Sequence, residues 1–145
     1  MIHKIKIERM ITLDQHMLYL KKITNDQAIE FLKKNHADKE HISISTADEW
    51  WAGIDPQTDE IFGTIGFLFN KTATRVKGLF VKADQRGKGL GNLLVNKTLF
   101  DTASRDYDLK VNAFATDMSK PIFKSVGLTV KRTNKNGIHF MEGLV

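Results

Sequence analysis

The sequence predicts an α/β (α+β) fold, with a mixed central β-sheet of about six to seven strands flanked by about four helices. Three consecutive apolar runs between residues 50 and 81 are separated only by short turns, as in antiparallel strands. The last run is joined by a loop with three glycines to a segment of helical character at residues 92–104. Near the C-terminus, Asn136-Gly137 stands between two further apolar runs and indicates a hairpin.

Length and composition indicate one soluble domain over residues 1–145. Hydrophobic residues make up 41% of the chain and charged residues 27%, and there is no cysteine. Disulfides, thiolate metal sites and cysteine nucleophiles are therefore excluded. No apolar run is long enough to cross a membrane, and residues 1–6 lack the apolar core of a signal peptide, so we expect a cytoplasmic protein without a membrane partner. No His, Asp and Glu cluster has metal-ligand spacing, and we expect no metal.

The balance of charge is basic, with a formal net charge of +5 and an estimated pI of 9.4. A basic protein favours anionic partners, among them phosphate-bearing ligands, nucleic acid and acidic surfaces. The lysines are scattered along the chain, without the dense run that is typical of a nucleic-acid-binding arm. Nucleic acid thus stays an allowed partner that the sequence does not favour.

The N-terminal third predicts one strand and two short helices. Residues 2–10 alternate partly between apolar and charged side chains, as in a strand. Capping-box spacing occurs at residues 12–15 and again at residues 24–27, so two helices are expected between residues 12 and 35. At residues 42–45, isoleucine alternates with serine, which allows a short extended piece.

The rest of the chain alternates between strands and helices. The apolar runs predict strands at 50–54, 61–69, 73–81, 109–113, 129–132 and 138–141. Both faces of the 61–69 strand are largely apolar, so this strand is expected to be covered on both sides. The 109–113 strand follows a helical crossover and is expected to run parallel to 76–81. A short helix is expected after Thr116, with Pro121 in its first turn and Gly127 as its end.

The glycine loop predicts an anion-binding site. Gly87, Gly89 and Gly91 alternate with other residues between a strand and a helix. Glycine leaves the backbone N–H groups unshielded and tolerates positive φ, and a helix N-terminus adds unpaired donors and partial positive charge. Such a loop suits a phosphate or pyrophosphate, although a plain strand-to-helix turn is the alternative. The chain has no Gly-Lys-Ser or Gly-Lys-Thr, and the dinucleotide spacing G-x-G-x-x-G is absent from this loop.

The loop residues Arg86-Gly87-Lys88-Gly89-Leu90-Gly91 fit R-x-x-G-x-G, and this closely resembles the acyl-coenzyme A signature of the GCN5-related N-acetyltransferase (GNAT) family. The order of predicted elements is also similar to the GNAT fold from end to end. The resemblance implies acetyl-CoA as co-substrate and transfer of its acetyl group to a primary amine of a small molecule or a protein. It also allows a homodimer. Two alternatives stay open: an acyl-CoA-binding module with weak or no catalysis, and a nucleic-acid-directed acyltransferase.

The same resemblance assigns residues to coenzyme A. The pantetheine would hydrogen-bond to the backbone of Leu79, Phe80 and Val81, where a backbone N–H would also polarise the thioester carbonyl. The pyrophosphate would lie on the loop amides, namely those of Arg86, Gly87, Lys88, Gly89, Leu90, Gly91 and Asn92. The Arg86 and Lys88 side chains either add positive charge or are solvated cations.

The catalytic residues implied by the resemblance depart from the family pattern. Phe123 stands where the family commonly has a tyrosine that protonates the coenzyme A thiolate; a phenylalanine there can pack beside the pantetheine but cannot donate a proton. Ser119, His139 or a water molecule are the alternative donors.

No carboxylate stands on the strand before the loop, where many members carry a glutamate base. Glu49 could instead act through water, as could Asp48, Asp59 or Glu60, and His41 has a suitable pKa range. The adjacent Trp50 and Trp51 face opposite ways in a strand, so one is expected in the core. The other either lines the acceptor groove or covers the sheet.

Overall fold

The computed structural model describes residues 8–13, 16–103 and 110–145, and within them the chain forms one eight-stranded sheet and three α-helices. The strands are β1 Glu8–Leu13, β2 His16–Ile23, β3 Glu49–Ile54, β4 Ile61–Phe69, β5 Thr74–Val81, β6 Lys110–Ala115, β7 Thr129–Thr133 and β8 His139–Leu144. The helices are α1 Asn25–Lys34, α2 Leu90–Ala103 and α3 Lys120–Ser125. No helix of this part of the chain is long and apolar enough to span a membrane.

The sheet is mixed, in the order β1-β2-β3-β4-β5-β6-β8-β7. Every neighbouring pair is antiparallel except β5 and β6, which are parallel because α2 connects them as a crossover. The predicted fold class, the antiparallel β3-β4-β5 meander and the C-terminal hairpin are confirmed. The sequence predicted six to seven strands and four helices, whereas the described residues form eight strands and three α-helices. The numbers differ because one predicted helix is a strand.

The first of the two predicted helices is wrong, because residues 16–23 form β2 and pair with β1 on one side and β3 on the other. Leu13, Met17 and Leu20 have helical spacing, but the same segment also fits the alternation of every second residue that is typical of a strand. Leu18 and Leu20 are both buried, as alternate residues of one strand face are. Pairing along both edges provides hydrogen-bond partners for the backbone N–H and C=O groups of β2. This gain outweighs the local preference for a helix. Residues 2–7 of the predicted first strand and residues 14–15 of the predicted capping box lie outside the described ranges.

The second predicted helix, α1, is confirmed together with its cap. The Gln27 N–H donates to Thr24 Oγ1 at 3.1 Å, and the Thr24 N–H donates to Gln27 Oε1 at 2.9 Å. The helix buries Ala28, Phe31 and Leu32 against the sheet. The extended piece allowed at residues 42–45 does not form; this segment is a loop after the 3₁₀ turn Ala37–Glu40.

Helices cover both faces of the sheet. The adjacent residues Trp50 and Trp51 show this, because their side chains lie in the cores on opposite faces. Trp51 belongs to the larger core between the sheet and α2 and α3. Trp50 belongs to the core under α1, where its Nε1 donates to Asn25 Oδ1 at 2.7 Å. Each side chain is only 2% exposed, so both are core residues that cover the sheet, and of the two alternatives for the second tryptophan the groove-lining one is wrong.

The two parallel strands separate partway along their length. β5 pairs with β6 only over three residues, ending at Val76 opposite Ala113, although β5 continues to Val81 and β6 to Ala115. Just past this point the register between β4 and β5 shifts, and Gly78 takes φ of +61°. The Thr64 hydroxyl donates to the Gly78 carbonyl at 3.0 Å and holds this bulge. A β-bulge bends the strand that carries it, so β5 turns away from β6 and leaves a cleft.

Glycine is required at position 78 for two reasons, and a pair of substitutions separates them. A Cβ at Gly78 would lie 2.4 Å from Trp50 Cη2, whereas Gly137, with φ of +78°, has open space around it. We expect Gly137→Ala to lower the free energy of unfolding by about 1 kcal/mol through backbone strain alone. Gly78→Ala is expected to cost about 2–4 kcal/mol, because overpacking adds to that strain. Urea unfolding measures both.

The excess cost at Gly78 should shrink in a Trp50→Phe background, because the outer indole ring atoms that meet the new methyl group are then gone. Equal costs at positions 78 and 137, or an excess that Trp50→Phe leaves unchanged, would contradict the role given to this contact.

Candidate functional site

A cavity of about 650 Å³ opens where β5 leaves β6, and we call it the larger cavity. It is lined by the end of β5, the glycine loop, residues 116–119 and the start of α3, residues 136–138 of the C-terminal hairpin, and residues 40–42. Of the residues that the family resemblance assigns to coenzyme A, those on its wall are Leu79, Phe80, Val81, Arg86, Gly87, Gly89, Leu90, Gly91 and Asn92. The structure therefore brings nearly all of them to one cleft.

The three loop glycines differ in what their lack of a side chain allows. Gly87 and Gly89 have φ of +83° and +81° with no atom near an added Cβ, so their conformation is what requires glycine. At Gly91 an added Cβ would lie 2.8 Å from Ile122 Cδ1, so glycine there allows α2 and α3 to approach closely. No described residue accepts a hydrogen bond from the backbone N–H groups of residues 87–92, and α2 has no acidic residue in its first turn. This end of the helix offers free donors and partial positive charge.

The Arg86 side chain anchors the loop to the protein instead of extending freely into the cavity. Its Nε donates to the Val81 carbonyl at 2.9 Å, its Nη2 lies 2.7 Å from Glu40 Oε1, and its guanidinium lies 5.2 Å from the Phe80 ring centroid. Much of its charge is thus balanced by Glu40. Lys88 is exposed, contacts Gln85 Oε1 at 3.1 Å and is not on the cavity wall.

A second carboxylate on the cavity wall is also paired. Asp117 is exposed, and its Oδ1 accepts a 2.7 Å hydrogen bond from Nε2 of the buried His139, whose Nδ1 lies 2.7 Å from Thr133 Oγ1. This hydrogen bond, and next the charge on the imidazole, lower the pKa of Asp117 from its ordinary value. The chain of contacts fixes the β7–β8 hairpin against the segment before α3.

A smaller cavity of about 290 Å³ adjoins the first. Its wall includes Arg75, Lys77 and Gly78 of β5, Phe114 of β6, and Phe123 of α3. Phe123 is only 2% exposed and lies on the wall of this cavity, not of the larger one. The residues shared by both cavities are His41, Ile42, Leu79 and Ser119, so the two cavities meet there.

Of the three catalytic candidates, only Ser119 lines the cavities. Its Oγ accepts from the Thr116 N–H at 3.0 Å and lies 3.3 Å from Thr116 Oγ1. His139 is 8% exposed and sits behind Asp117. Glu49 lies off both walls and is 3.0 Å from Lys22 Nζ.

The remaining weaker base candidates also lie off the walls, except His41. The wall residues of the two cavities do not include Asp48, Asp59 or Glu60, whereas His41 lines both cavities. No three His, Asp or Glu side chains in the described ranges are placed to hold a metal ion.

Sequence reasoning missed several parts of the wall. Glu40 and Asp117 carry the paired carboxylates, and residues 136–138 close one side. Glu40 is 46 positions from Arg86, and no local pattern links the two. The sequence predicted a hairpin turn at residues 136–137, but a turn pattern does not indicate which part of the protein the hairpin contacts.

Anchoring by Arg86 makes a prediction about stability. Arg86→Gln loses the charge-assisted bond to the Val81 carbonyl as well as the ion pair, so we expect a loss of about 1–2 kcal/mol in the free energy of unfolding. Glu40→Gln loses only a partly exposed ion pair and should cost about 0.2–1 kcal/mol. Urea unfolding of both single variants and the double variant measures the coupling between them. Additive losses, or a Glu40→Gln variant that is less stable than Arg86→Gln, would show that Arg86 does not anchor the loop in this way.

Comparison with solved structures finds the same fold at low sequence identity. The GNAT domain of S. lividans PAT superimposes with a TM-score of 0.71 and 14% identity, over 99% of both chains. Ribosomal-protein-S5-alanine acetyltransferase from Vibrio fischeri gives 0.70 and 12%, over 94% of this chain and 96% of that one. Spermidine/spermine N-acetyltransferase SpeG from Vibrio cholerae, in mutant forms, gives 0.63 and 14%, over 88% and 94%. No curated protein sequence matches this chain.

The sequence itself gives an independent result. The family model described as acetyltransferase (GNAT) domain matches residues 19–142, which run from β2 to β8 and include the separated strands, the glycine loop and the hairpin. The match covers well over half of the chain, and the mixed sheet with its cleft agrees with it. The chain belongs to the GNAT acetyltransferase family.

Proposed function

We propose that this protein transfers an acetyl group from acetyl-CoA to a primary amine. One observation carries the proposal: the cleft between β5 and β6 opens onto the backbone amides of residues 87–92, from which no described residue accepts a hydrogen bond. A thioester with a long pantetheine arm that leads to a pyrophosphate fits such a site, since the apolar strand edge and the loop amides lie along one cavity. Its volume of about 650 Å³ is within the usual range of small-molecule sites.

The residues present fit coenzyme A by their chemistry. Backbone amides at a helix N-terminus bind phosphate oxygens without needing a side chain, and the conformations of Gly87 and Gly89 expose them. The two carboxylates on the wall, Glu40 and Asp117, are paired with Arg86 and His139, which limits their repulsion of a polyanion. The backbone of Leu79, Phe80 and Val81 would contact the pantetheine along the unpaired edge of β5.

Acetyl-CoA supplies an activated thioester, and the chain supplies orientation and a path for one proton. The amine nitrogen forms a bond to the carbonyl carbon, the carbon–sulfur bond breaks, and one proton passes from nitrogen to sulfur. A backbone N–H of residues 79–81 would stabilise the developing oxyanion. Ser119 is the candidate for the proton path, because it lies where the cavities meet and a hydroxyl both accepts and donates.

The fold does not select the acceptor. Two proteins with this fold are named for different acceptors, one for a ribosomal-protein alanine and the other for spermidine or spermine. Evidence for the acceptor of this protein must therefore come from the side chains that line its own cavities. In this proposal the amine enters through the smaller cavity, which meets the larger one at Leu79 and Ser119.

Binding of coenzyme A is the first test. Calorimetric titration should give micromolar dissociation constants for acetyl-CoA and coenzyme A. Acetyl-pantetheine, which lacks the pyrophosphate, should bind at least about tenfold more weakly, because each hydrogen bond to a charged group contributes about 1.5–3 kcal/mol. Equal affinity for acetyl-pantetheine would contradict the role of the loop amides, and no binding of any of these ligands would contradict the proposed function.

Phe123 favours a second candidate function, an acyl-CoA-binding module with weak catalysis. It occupies the position of the expected tyrosine, and its ring carries no proton donor on the wall of the smaller cavity. The two candidates differ in whether an amine releases free thiol from bound acetyl-CoA.

Two variants separate these candidates. If Ser119 relays the proton, Ser119→Ala should lower kcat for amine-dependent thiol release by about 10²–10⁴ and leave the Kd for acetyl-CoA within a few-fold. Phe123→Tyr, which adds a phenol, should change the wild-type kcat little. Wild-type protein that binds acetyl-CoA without thiol release, together with a gain of activity in Phe123→Tyr, would support the binding module instead.

A further inference from the structure

Two cations lie side by side on the face of β5 that forms the smaller cavity. Arg75 and Lys77 are two residues apart, so they point to the same face, while Val76 between them is buried in the opposite core. Both are half-buried and both line the cavity. No aspartate or glutamate is among the described residues of its wall, so the charge there is positive.

The Arg75 guanidinium is held in place but not neutralised. Its Nε donates to Asn112 Oδ1 at 2.9 Å, and its central carbon lies 4.8 Å from the centroid of the Phe114 ring. These contacts use one of five N–H donors and one face of the group. No ion pair joins Arg75 to a carboxylate in the described part of the chain. A fixed guanidinium with free donor edges matches the geometry of a carboxylate.

The Lys77 ammonium is bound only by neutral oxygens of the described residues. Its Nζ contacts the Ser45 hydroxyl and lies 2.9 Å from the Thr46 carbonyl oxygen. Burial lowers the pKa of Lys77, because water is partly removed and no counter-charge replaces it. An anion in the cavity would supply that counter-charge.

Three carboxylates at or near β3 and β8, the strands beyond β4 and β6, are engaged elsewhere. Glu49 of β3 lies 3.0 Å from Lys22 Nζ, and Glu142 of β8 lies 3.4 Å from Lys110 Nζ. Asp48 accepts the Phe69 backbone N–H at 2.8 Å. None of these three carboxylates neutralises Arg75 or Lys77, so the cavity suits an anionic ligand.

We propose that the acceptor is a small amine that also carries a carboxylate, and that Arg75 and Lys77 bind this carboxylate in the smaller cavity. The inference rests on the proposed function for the acetyl transfer, whereas binding of the anion does not depend on it. The acceptor amine would meet the thioester where the cavities join, at Leu79 and Ser119. A volume of about 290 Å³ suits an acceptor of amino-acid size, and two fixed cations disfavour a polyamine.

Matched pairs of acceptors test the proposal. Ornithine and putrescine differ by one carboxylate, as do phenylalanine and 2-phenylethylamine. We expect thiol release from acetyl-CoA to show kcat/KM at least about tenfold higher for the carboxylate-bearing member of at least one pair, as a charge-assisted bidentate contact implies. Higher kcat/KM for the amines that lack the carboxylate would overturn the proposal.

Variants show whether these two residues cause the preference. Arg75→Gln and Lys77→Gln should each lower kcat/KM for the amino acid at least about fivefold and leave its decarboxylated partner within about twofold. Lys33→Gln removes one positive charge from the exposed face of α1 and serves as the control, with no change in selectivity expected. A preference that survives in both cavity variants would overturn the assignment.

Binding separates failure of this inference from failure of the proposed function. Calorimetry of the amino acids and their decarboxylated partners, with and without saturating coenzyme A, does not require turnover. Tighter binding of the carboxylate-bearing members, lost in Arg75→Gln, supports the inference even if no thiol is released. Binding that is equal or weaker overturns it, even if coenzyme A binds and other amines are acetylated.

Discussion

The contact between the Trp50 ring and the backbone at Gly78 is the constraint on which the rest of the site depends. The indole of β3 occupies the space that a side chain at position 78 would need, 2.4 Å from its ideal Cβ. β5 can follow this path only with a left-handed glycine, and the resulting bulge directs the strand away from β6. A cleft inside a sheet is ordinarily closed by strand pairing. Here the pairing of β5 with β6 ends at Val76, two residues before the bulge at Gly78 that packs against Trp50.

The loop that follows extends this geometry to an anion-binding surface. Gly87 and Gly89 expose backbone amides, Gly91 lets α3 approach α2, and Arg86 fixes the loop to Glu40. Side-chain charge therefore stabilises the loop, while the donors to a ligand come from the backbone. Arg75 and Lys77, on the wall of the smaller cavity, form no ion pair with a carboxylate of the described residues. In the proposed function, the loop would bind the polyanionic co-substrate and the smaller cavity would select the acceptor.

The sequence predicted features that depend on residues close together in the chain and missed features that depend on residues far apart in it. The capping box of Thr24 and Gln27, the bounds of β4 and the glycine loop are set by neighbours a few positions away, and all three were predicted. β2 was mistaken for a helix because its strand pairing depends on partners that no local pattern identifies. The same holds for the site: its loop was predicted, but its paired carboxylates and the facing hairpin come from distant segments.

The most direct test of the central claim is the amide spectrum of ¹⁵N-labelled protein with and without saturating coenzyme A. Glycine amides report on single sites in such a spectrum. If the cleft binds coenzyme A as proposed, the signals of Gly87, Gly89 and Gly91 shift strongly on binding, as their N–H groups begin to donate to phosphate oxygens. The signal of Gly53, which lies on β3 away from the cavity wall, should not shift. Unchanged loop signals under conditions where coenzyme A binds would contradict the claim.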